Sequence, residues 1–180
     1  LPEDLITQHL TGHLPVLLQE TPTRCLLIGL GSGCSAAAMA THADVTRVDV
    51  AELERQVLEG AKLMSEINRG MLEPGAEPKL DIRIMDGRTA LLGNEGVYDI
   101  VISEPSNPWV AGVASLFTVE HYEACKRALK PTGTLVQWVQ GYELDRQTMH
   151  MMLRTFQSVC PGATLWRTTT ADYLFVARMD

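Results

Sequence analysis

Cys25-Leu26-Leu27-Ile28-Gly29-Leu30-Gly31-Ser32-Gly33 runs directly into a stretch of small residues, Cys34 to Ala40. Four apolar residues in a row predict a strand buried on both faces. The three alternate glycines predict a tight turn, and the alanines a helix packed close to its sheet. Glycine suits such a turn because a Cβ would keep the backbone away from a ligand, and the helix start that follows presents unpaired N–H groups. A turn kept tight for packing alone would read the same way, so the meaning of the loop depends on what surrounds it.

The spacing is Gly29-x-Gly31-x-Gly33, and where a dinucleotide fingerprint places its third glycine this chain has Cys34 or Ser35. That disfavours NAD and favours a nucleoside without a pyrophosphate, such as S-adenosylmethionine or a relative. Val45 to Val50 predicts a second strand. Glu52 stands just past its end, 19 residues after Gly33, where a carboxylate can accept hydrogen bonds from both ribose hydroxyls. Glu54 is the rival for that role, and either glutamate could instead favour the start of the next helix through its dipole.

The 180 residues, 46% of them hydrophobic and 21% charged, suit one globular domain with a substantial core. Fifteen basic against 22 acidic residues give a net charge of -7, and the arginines are scattered. Nucleic acid is therefore not an expected partner, whereas a cationic substrate is compatible. Cys25, Cys34, Cys125 and Cys160 have no metal-ligand spacing and read as reduced core residues of an intracellular protein, so no metal is expected. The chain begins at Leu1 and has no apolar run near 18 residues, which suggests a soluble piece cut from a longer protein.

Leu5 to Leu18 has a helical apolar period that Pro15 can kink, and residues 1–20 are expected as a helical lead-in packed on the sheet. Leu53 to Ile67 predicts an amphipathic helix with Leu53, Val57, Leu58, Ala61, Met64 and Ile67 on one face. Leu80 to Met85 and Tyr98 to Ser103 predict the third and fourth strands, with a short helix from Thr89 to Leu92 between them. Phe117 to Leu129 predicts a helix closed by Lys130-Pro131-Thr132-Gly133, and Thr134 to Val139 a fifth strand. Asp145 caps a helix through Val159, and Thr164 to Thr168 with Tyr173 to Arg178 form a terminal hairpin. Met149, Met151 and Met152 read as core filling, and His121-Tyr122 as lying on a helix face. The fold class is α/β: a Rossmann-like, class I methyltransferase-type doubly wound sheet, mostly parallel with an antiparallel C-terminal strand at its edge.

Ligands in such sheets bind beyond the carboxyl ends of the strands, where strand order reverses. Glu52, Asp86 and Glu104 arrive there from consecutive strands. Asp86 can accept from an adenine amino group or cap a turn. Pro105 holds the backbone of Glu104 extended and aims its carboxylate into the cleft. Asn107-Pro108-Trp109 continues a stiff loop, Gly112 to Ser115 can close over a ligand, and Gln137, Gln140 and Tyr142 are further candidates for the cleft wall.

Gly29 to Gly33, Glu52-Leu53-Glu54, Asp86-Gly87-Arg88, Tyr98 to Pro108 and Leu116-Phe117 together resemble the spermidine synthase (polyamine aminopropyltransferase) family. Gln8 and His13-Leu14-Pro15 are similar to its bacterial branch in which the domain is fused to a membrane-embedded, transporter-like segment, so the resemblance spans nearly the whole chain. It implies decarboxylated S-adenosylmethionine as co-substrate, bound by Gln8, Gly29, Gly31, Ser32, Gly33, Glu52, Asp86 and Gly87. It further implies Glu104 as the catalytic carboxylate, and Asn107, Trp109 and Tyr142 near a small-molecule amine. A primary amine would attack the aminopropyl carbon beside the sulfonium and release methylthioadenosine. Where the family has an aspartate in the glycine loop this chain has Ser32, where it has a second aspartate in the substrate loop this chain has Asn107, and where it has a tyrosine before Gln8 this chain has Thr7. The family's small N-terminal β-domain is not among these residues. The resemblance leaves room for a homodimer and for a covalently attached membrane domain, with the present chain on the cytoplasmic side.

Two alternatives stay open. A methyltransferase would use intact S-adenosylmethionine on the same kind of sheet, although Leu27 stands where such enzymes place an acid. A non-catalytic nucleoside-binding module would sense its ligand for an attached domain.

Overall fold

A computed structural model describes residues 2–110, 112–142 and 144–179, with side chains from Asp4 onward; Leu1, Ala111, Glu143 and Asp180 lie outside them. The elements in order are α1 (Pro2–Leu17), β1 (Arg24–Ile28), α2 (Cys34–Ala40), β2 (Arg47–Glu52), α3 (Arg55–Lys62), α4 (Ser65–Asn68), β3 (Leu80–Ile84), α5 (Gly87–Leu91) and β4 (Tyr98–Ser103). A 3-10 turn (Val113–Phe117) follows, then α6 (Val119–Ala128), β5 (Leu129–Gln140), α7 (Arg146–Val159), β6 (Thr164–Arg167) and β7 (Asp172–Arg178). No helix among the described residues is long and apolar enough to cross a membrane.

The strands form one sheet in the order β3-β2-β1-β4-β5-β7-β6. β1 to β5 are mutually parallel, and β7 runs antiparallel to both β5 and β6. The C-terminal hairpin thus closes one edge of the sheet, as expected, with β7 inside and β6 outermost. The hairpin places its apolar arm, with Leu174, Phe175, Val176 and Ala177 buried, inside, and leaves β6, with Leu165 and Trp166 exposed, outside.

Successive residues of β1 point to opposite faces, so its continuous apolar run supplies two cores. Cys25 and Leu27 join Val48, Val50, Ile100, Ile102 and Met39 beneath α1 and α2. Leu26 and Ile28 join Val101, Tyr122, Phe156 and Phe175 beneath α6 and α7. Tyr122 meets Phe156 edge to face at 5.0 Å and Phe156 lies 5.6 Å from Phe175, a geometry worth about 0.5–1.5 kcal/mol per pair beyond the area buried. All four cysteines are buried and free. His121 and Tyr122 lie on the face of α6 that is turned into the core, and both are buried. Met152 fills the core, but Met151 is exposed.

The remaining differences from the sequence reading have local causes. α1 presents Thr7, Thr11, Gly12, Pro15 and Val16 inward and leaves Ile6, Leu10, Leu17 and Leu18 exposed. It packs chiefly on α2, every residue of which is buried, and only secondarily on the sheet. The expected 53–67 helix breaks into α3 and α4, because Asn68, fully buried, donates its amide to the Ala61 carbonyl at 2.7 Å while Met64 N–H takes that carbonyl at 3.0 Å. Leu53 and Met64 are consequently exposed. Lys130 to Gly133 do not form a turn: β5 begins at Leu129, and a bulge absorbs them between the pairs Tyr98↔Leu129 and Ile100↔Thr134. Lys130 Nζ donates to Asp99 at 2.8 Å across that irregularity.

The α1–α2 contact depends on the absence of a side chain at Gly12, where a Cβ would lie 2.5 Å from the Ser35 carbonyl oxygen and 2.6 Å from Ala38 Cβ. Gly12→Ala is expected to destabilise the protein by about 1–3 kcal/mol, as overpacking does. Gly60→Ala, in α3 with nothing within 4 Å, is expected to be neutral or to stabilise by up to about 1 kcal/mol. Urea midpoints of the two variants check this, and equal effects would contradict it.

Candidate active site

The site follows from register. Ile28 is aligned with Ala51 on one side and Ser103 on the other, and Glu52 with Ile84. The ladder then continues one residue further: Gly29 N–H donates to Ala51 O at 2.9 Å, Glu104 N–H to Ile28 O at 2.8 Å, and Met85 N–H to Glu52 O at 2.8 Å. Glu52, Gly29 and Glu104 thus leave the sheet side by side, with Asp86 beside them. This is where chain connections depart in opposite directions from β1. The four residues line one cavity of about 670 Å³.

The glycines of the loop serve different purposes. A Cβ on Gly29, whose φ is +93°, would lie 2.2 Å from the carbonyl oxygen of Glu104, so this glycine permits β1 and β4 to converge. Gly31, at φ +53°, has nothing within 4 Å of its Cβ position and lines the cavity; it is the open face of the turn. Gly33 backs onto Leu72 and does not line the cavity. Ser32 also stays out: its hydroxyl donates to Gln8 Oε1, and its carbonyl accepts from Asn68 Nδ2 at 3.0 Å. Ser32 therefore fastens the loop to α1, whose Gln8 does reach the cavity.

Glu52, buried, is locked by two backbone donors: Leu30 N–H reaches Oε2 and Glu54 N–H reaches Oε1, both at 2.9 Å. A carboxylate has about four acceptor sites, so lone pairs remain for vicinal hydroxyls. Glu54 also lines the cavity, but it is exposed and makes no side-chain cap to α3. Asp86 caps α5 through Arg88 N–H at 2.7 Å and pairs with the Arg88 guanidinium at 2.7 Å. That hydrogen-bonded partner holds its carboxyl below the usual range. Gly87 follows because a Cβ there would stand 2.3 Å from the Ile28 side chain.

Glu104 is half-buried, and its Oε2 is buried with no hydrogen-bond partner among the described residues. Burial pushes its carboxyl up to about 7; Ser35 opposes the shift by hydrogen bonding, and the charge of Asp172 adds to it. Behind it, His121 Nε2 lies 3.3 Å from Ser103 Oγ and 3.5 Å from Cys125 Sγ, and burial lowers the imidazole to about 4. That ring is neutral at ordinary pH and serves as packing behind the end of β4.

The cavity also collects residues that the sequence did not single out for it: Asp4 and Thr7 from α1, Trp138 from β5, Val110 from the loop after β4, and Asp172 at the start of β7, while Gly112, Val113 and Ser115 of the expected closing stretch line it too. Gln140 lines it as well, whereas Gln137 is fully buried behind the strand end. Asp172 follows Thr168 to Thr170 and Ala171 and reads as a turn residue, and the pairing of β7 with β5 is what brings it to the site. Asn107, Trp109 and Tyr142 do not line the cavity. Asn107 Nδ2 donates to Tyr142 Oη at 3.3 Å, and Trp109 meets the Tyr142 ring edge-on at 6.0 Å. Trp109 faces a separate apolar recess with Pro108, Phe117 and Met151. The aromatic pair draws this part of the loop away from the carboxylates.

Residues 4–176 match the family model for the spermine/spermidine synthase domain. A polyamine aminopropyltransferase of Nitrosomonas europaea is 32% identical over 149 residues, covering 82% of this chain and 44% of that protein. Spermidine synthase 1 of Pisum sativum is 28% identical over 165 residues, covering 91% of this chain and 48% of that protein. The chain thus spans about half the length of these curated relatives. Among solved structures, a spermidine synthase in complex with the transition state analogue AdoDATO superposes with a TM-score of 0.87 at 23% identity, covering 98% of this chain and 61% of that one. Human methyltransferase-like protein 13 in complex with SAH superposes at 0.71 with 17% identity, over 99% of this chain and 82% of that one. At such identities the superpositions speak for the fold alone. The match over residues 4–176, on a sheet that brings Glu52, Asp86 and Glu104 to one cavity, makes this chain a member of the spermine/spermidine synthase domain family.

Proposed function

We propose that the chain transfers an aminopropyl group from decarboxylated S-adenosylmethionine to an amine. The observation that carries this reading is the charge of the cavity. Asp4, Glu52, Glu54, Asp86, Glu104 and Asp172 line it, and among the described residues the one cationic side chain there, Arg88, is paired with Asp86. Such a wall favours ligands that bring positive charge. Decarboxylated S-adenosylmethionine brings a sulfonium and an ammonium, and the acceptor brings another ammonium. The carboxylate of intact S-adenosylmethionine would enter a low-dielectric, acidic site without a free cation to meet it.

In this reading Glu52 accepts from the ribose hydroxyls, and Asp86 with Gly87 borders the adenine. An alkylamine of pKa about 10 is nearly all ammonium at neutral pH and cannot attack until it loses a proton. Glu104, half-buried and raised to about 7, accepts that proton at a position fixed by the Ile28–Glu104 bond. The freed lone pair forms the new C–N bond to the aminopropyl carbon. The C–S bond breaks, its electrons pass to sulfur, and neutral methylthioadenosine departs.

Isothermal titration with decarboxylated S-adenosylmethionine, S-adenosylmethionine and methylthioadenosine is expected to show at least about ten-fold preference for the decarboxylated form over the intact one. A preference for intact S-adenosylmethionine would contradict the charge argument.

Glu104→Gln is expected to abolish transfer and leave methylthioadenosine affinity within a few-fold, and wild-type kcat/KM is expected to rise through about pH 7 as Glu104 ionises. The same carboxylate costs stability. Its ordinary value is 4.5, so below that pH it is protonated in both states and costs nothing. As pH rises the unfolded chain ionises first, and the penalty grows until about pH 7 and then stays constant. Glu104→Gln should therefore raise Tm at pH 8, by roughly 2–4 °C per kcal/mol relieved in a domain of this size, and have little effect at pH 4. Unchanged turnover, or a Tm gain that is largest at pH 4, would overturn the assignment.

A further inference from the structure

The loop after β4 has Asn107 where a second substrate carboxylate is expected, and Asn107 is engaged with Tyr142 outside the cavity. The cavity nevertheless has a second buried carboxylate near Glu104, on a different wall. Asp172 opens β7 opposite Gln140, is 6% exposed, and lies close enough to Glu104 for its charge to act on that group. Thr7 Oγ1 from α1 and Thr169 Oγ1 from the β6–β7 turn both donate to its Oδ2 at 2.9 Å. Thr168 Oγ1, 3.0 Å from Thr7 Oγ1, completes the hydroxyl cluster. No hydrogen bond to Oδ1 is made among the described residues, and no lysine or arginine among them pairs with Asp172.

A buried carboxylate whose partners among the described residues are neutral hydroxyls has no countercharge from them, so a cationic ligand is the partner it lacks. Two hydroxyls hold the carboxylate, from α1 and from the β6–β7 turn, and Thr168 Oγ1 donates to the Asp172 backbone carbonyl at 3.2 Å, so this is a built wall and not a chance surface acid. Thr7 stands where the family resemblance expects a tyrosine, and the smaller side chain is what reaches Asp172. The substitutions at positions 7 and 107 are thus answered by one residue on the opposite side of the site.

Resting on the aminopropyl-transfer reading, we propose that Asp172 is a specificity-determining residue that binds the second ammonium of a diamine acceptor while Glu104 receives the proton of the reacting nitrogen. The acceptor is then read by the wall of α1 and β7 and not by the loop after β4. Of the carboxylates lining the cavity, Glu104 and Asp172 match two nitrogens joined by a short apolar chain, and a monoamine would leave Asp172 without a cation.

The test compares 1,4-diaminobutane with butylamine at saturating decarboxylated S-adenosylmethionine. Asp172→Asn keeps the shape and an acceptor for the threonine hydroxyls, and is expected to raise the diamine KM at least ten-fold more than the butylamine KM. It should also shift the rise of kcat/KM with pH to lower pH, because one negative neighbour of Glu104 is gone. A purely structural role would weaken both amines alike. Asp172→Glu is the second variant: it retains the charge one methylene further into the cavity and should shift preference toward 1,3-diaminopropane. If wild type prefers the diamine and both variants keep its preference and chain-length optimum, the assignment to Asp172 is overturned while the transfer reading stands. If wild type binds methylthioadenosine but transfers to neither amine, the transfer reading fails and this inference falls with it.

Discussion

The approach of β1 to β4 is the constraint on which the site depends. With 2.2 Å between the Cβ position of Gly29 and the Glu104 carbonyl oxygen, no side chain fits there, and the positive φ adds a second reason for glycine. That contact brings the end of β4 against the turn that follows β1. The Glu104 N–H then bonds Ile28 O, and Glu104 is carried into the crevice by the sheet itself and not by a loop. Placing Glu104 on the ladder limits its freedom, which the proposed proton transfer to a single atom would require. The acid next to it, Glu52, is fixed in a different way, by two N–H groups that it receives from the neighbouring turns.

The charge of the cavity is the counterpart of that rigidity. A buried carboxylate with an unpartnered oxygen is unfavourable in the folded state, and Glu104 is accompanied by Asp172. The fold sustains this concentration of like charge because the sheet beneath is covered on both faces by two large apolar clusters. Stability generated there offsets the cost at the strand ends, a division seen wherever a site must hold groups that would not gather on their own. A cationic ligand would relieve the repulsion, so binding and stability are linked, and the proposed nucleoside and amine would each find a site already arranged for their charge.

Much of this was legible in the sequence where one local signal and one tertiary demand coincide. Cys25 to Ile28 is apolar because both faces of β1 are covered, and Asp145 caps α7 by accepting from Thr148 N–H at 2.7 Å. Glu52, Asp86 and Glu104 were readable because each directly follows or ends a recognisable strand. The misread parts depend on partners remote in sequence. The leucines of α1 have a helical period, yet the close seat of Gly12 on the alanine and serine surface of α2 turns Thr11, Gly12 and Val16 inward, so Leu10 and Leu17 face outward while Leu14 still packs on the core. Asn68 looks like the start of a loop, and its amide ends α3 and pins the glycine turn at once. The Trp109–Tyr142 contact, which removes both rings from the cavity, joins two loops that no periodicity connects.

Ser32 shows how one substitution can redistribute roles across a site. In the resemblance its position belongs to a carboxylate that meets the cationic tail of the nucleoside. Here a hydroxyl short enough to donate to Gln8 makes the loop part of the α1 attachment. The neighbouring residue on that helix, Thr7, then reaches Asp172. α1 therefore connects the glycine-loop side of the cavity, to which Ser32 ties it through Gln8, to the side that holds Asp172. A displacement of α1 along α2 would disturb both halves together, and the close seat of Gly12 on Ser35 and Ala38 restricts that displacement. The negative charge removed from the glycine loop is present on β7, and the helix that lies between the two positions holds both in register.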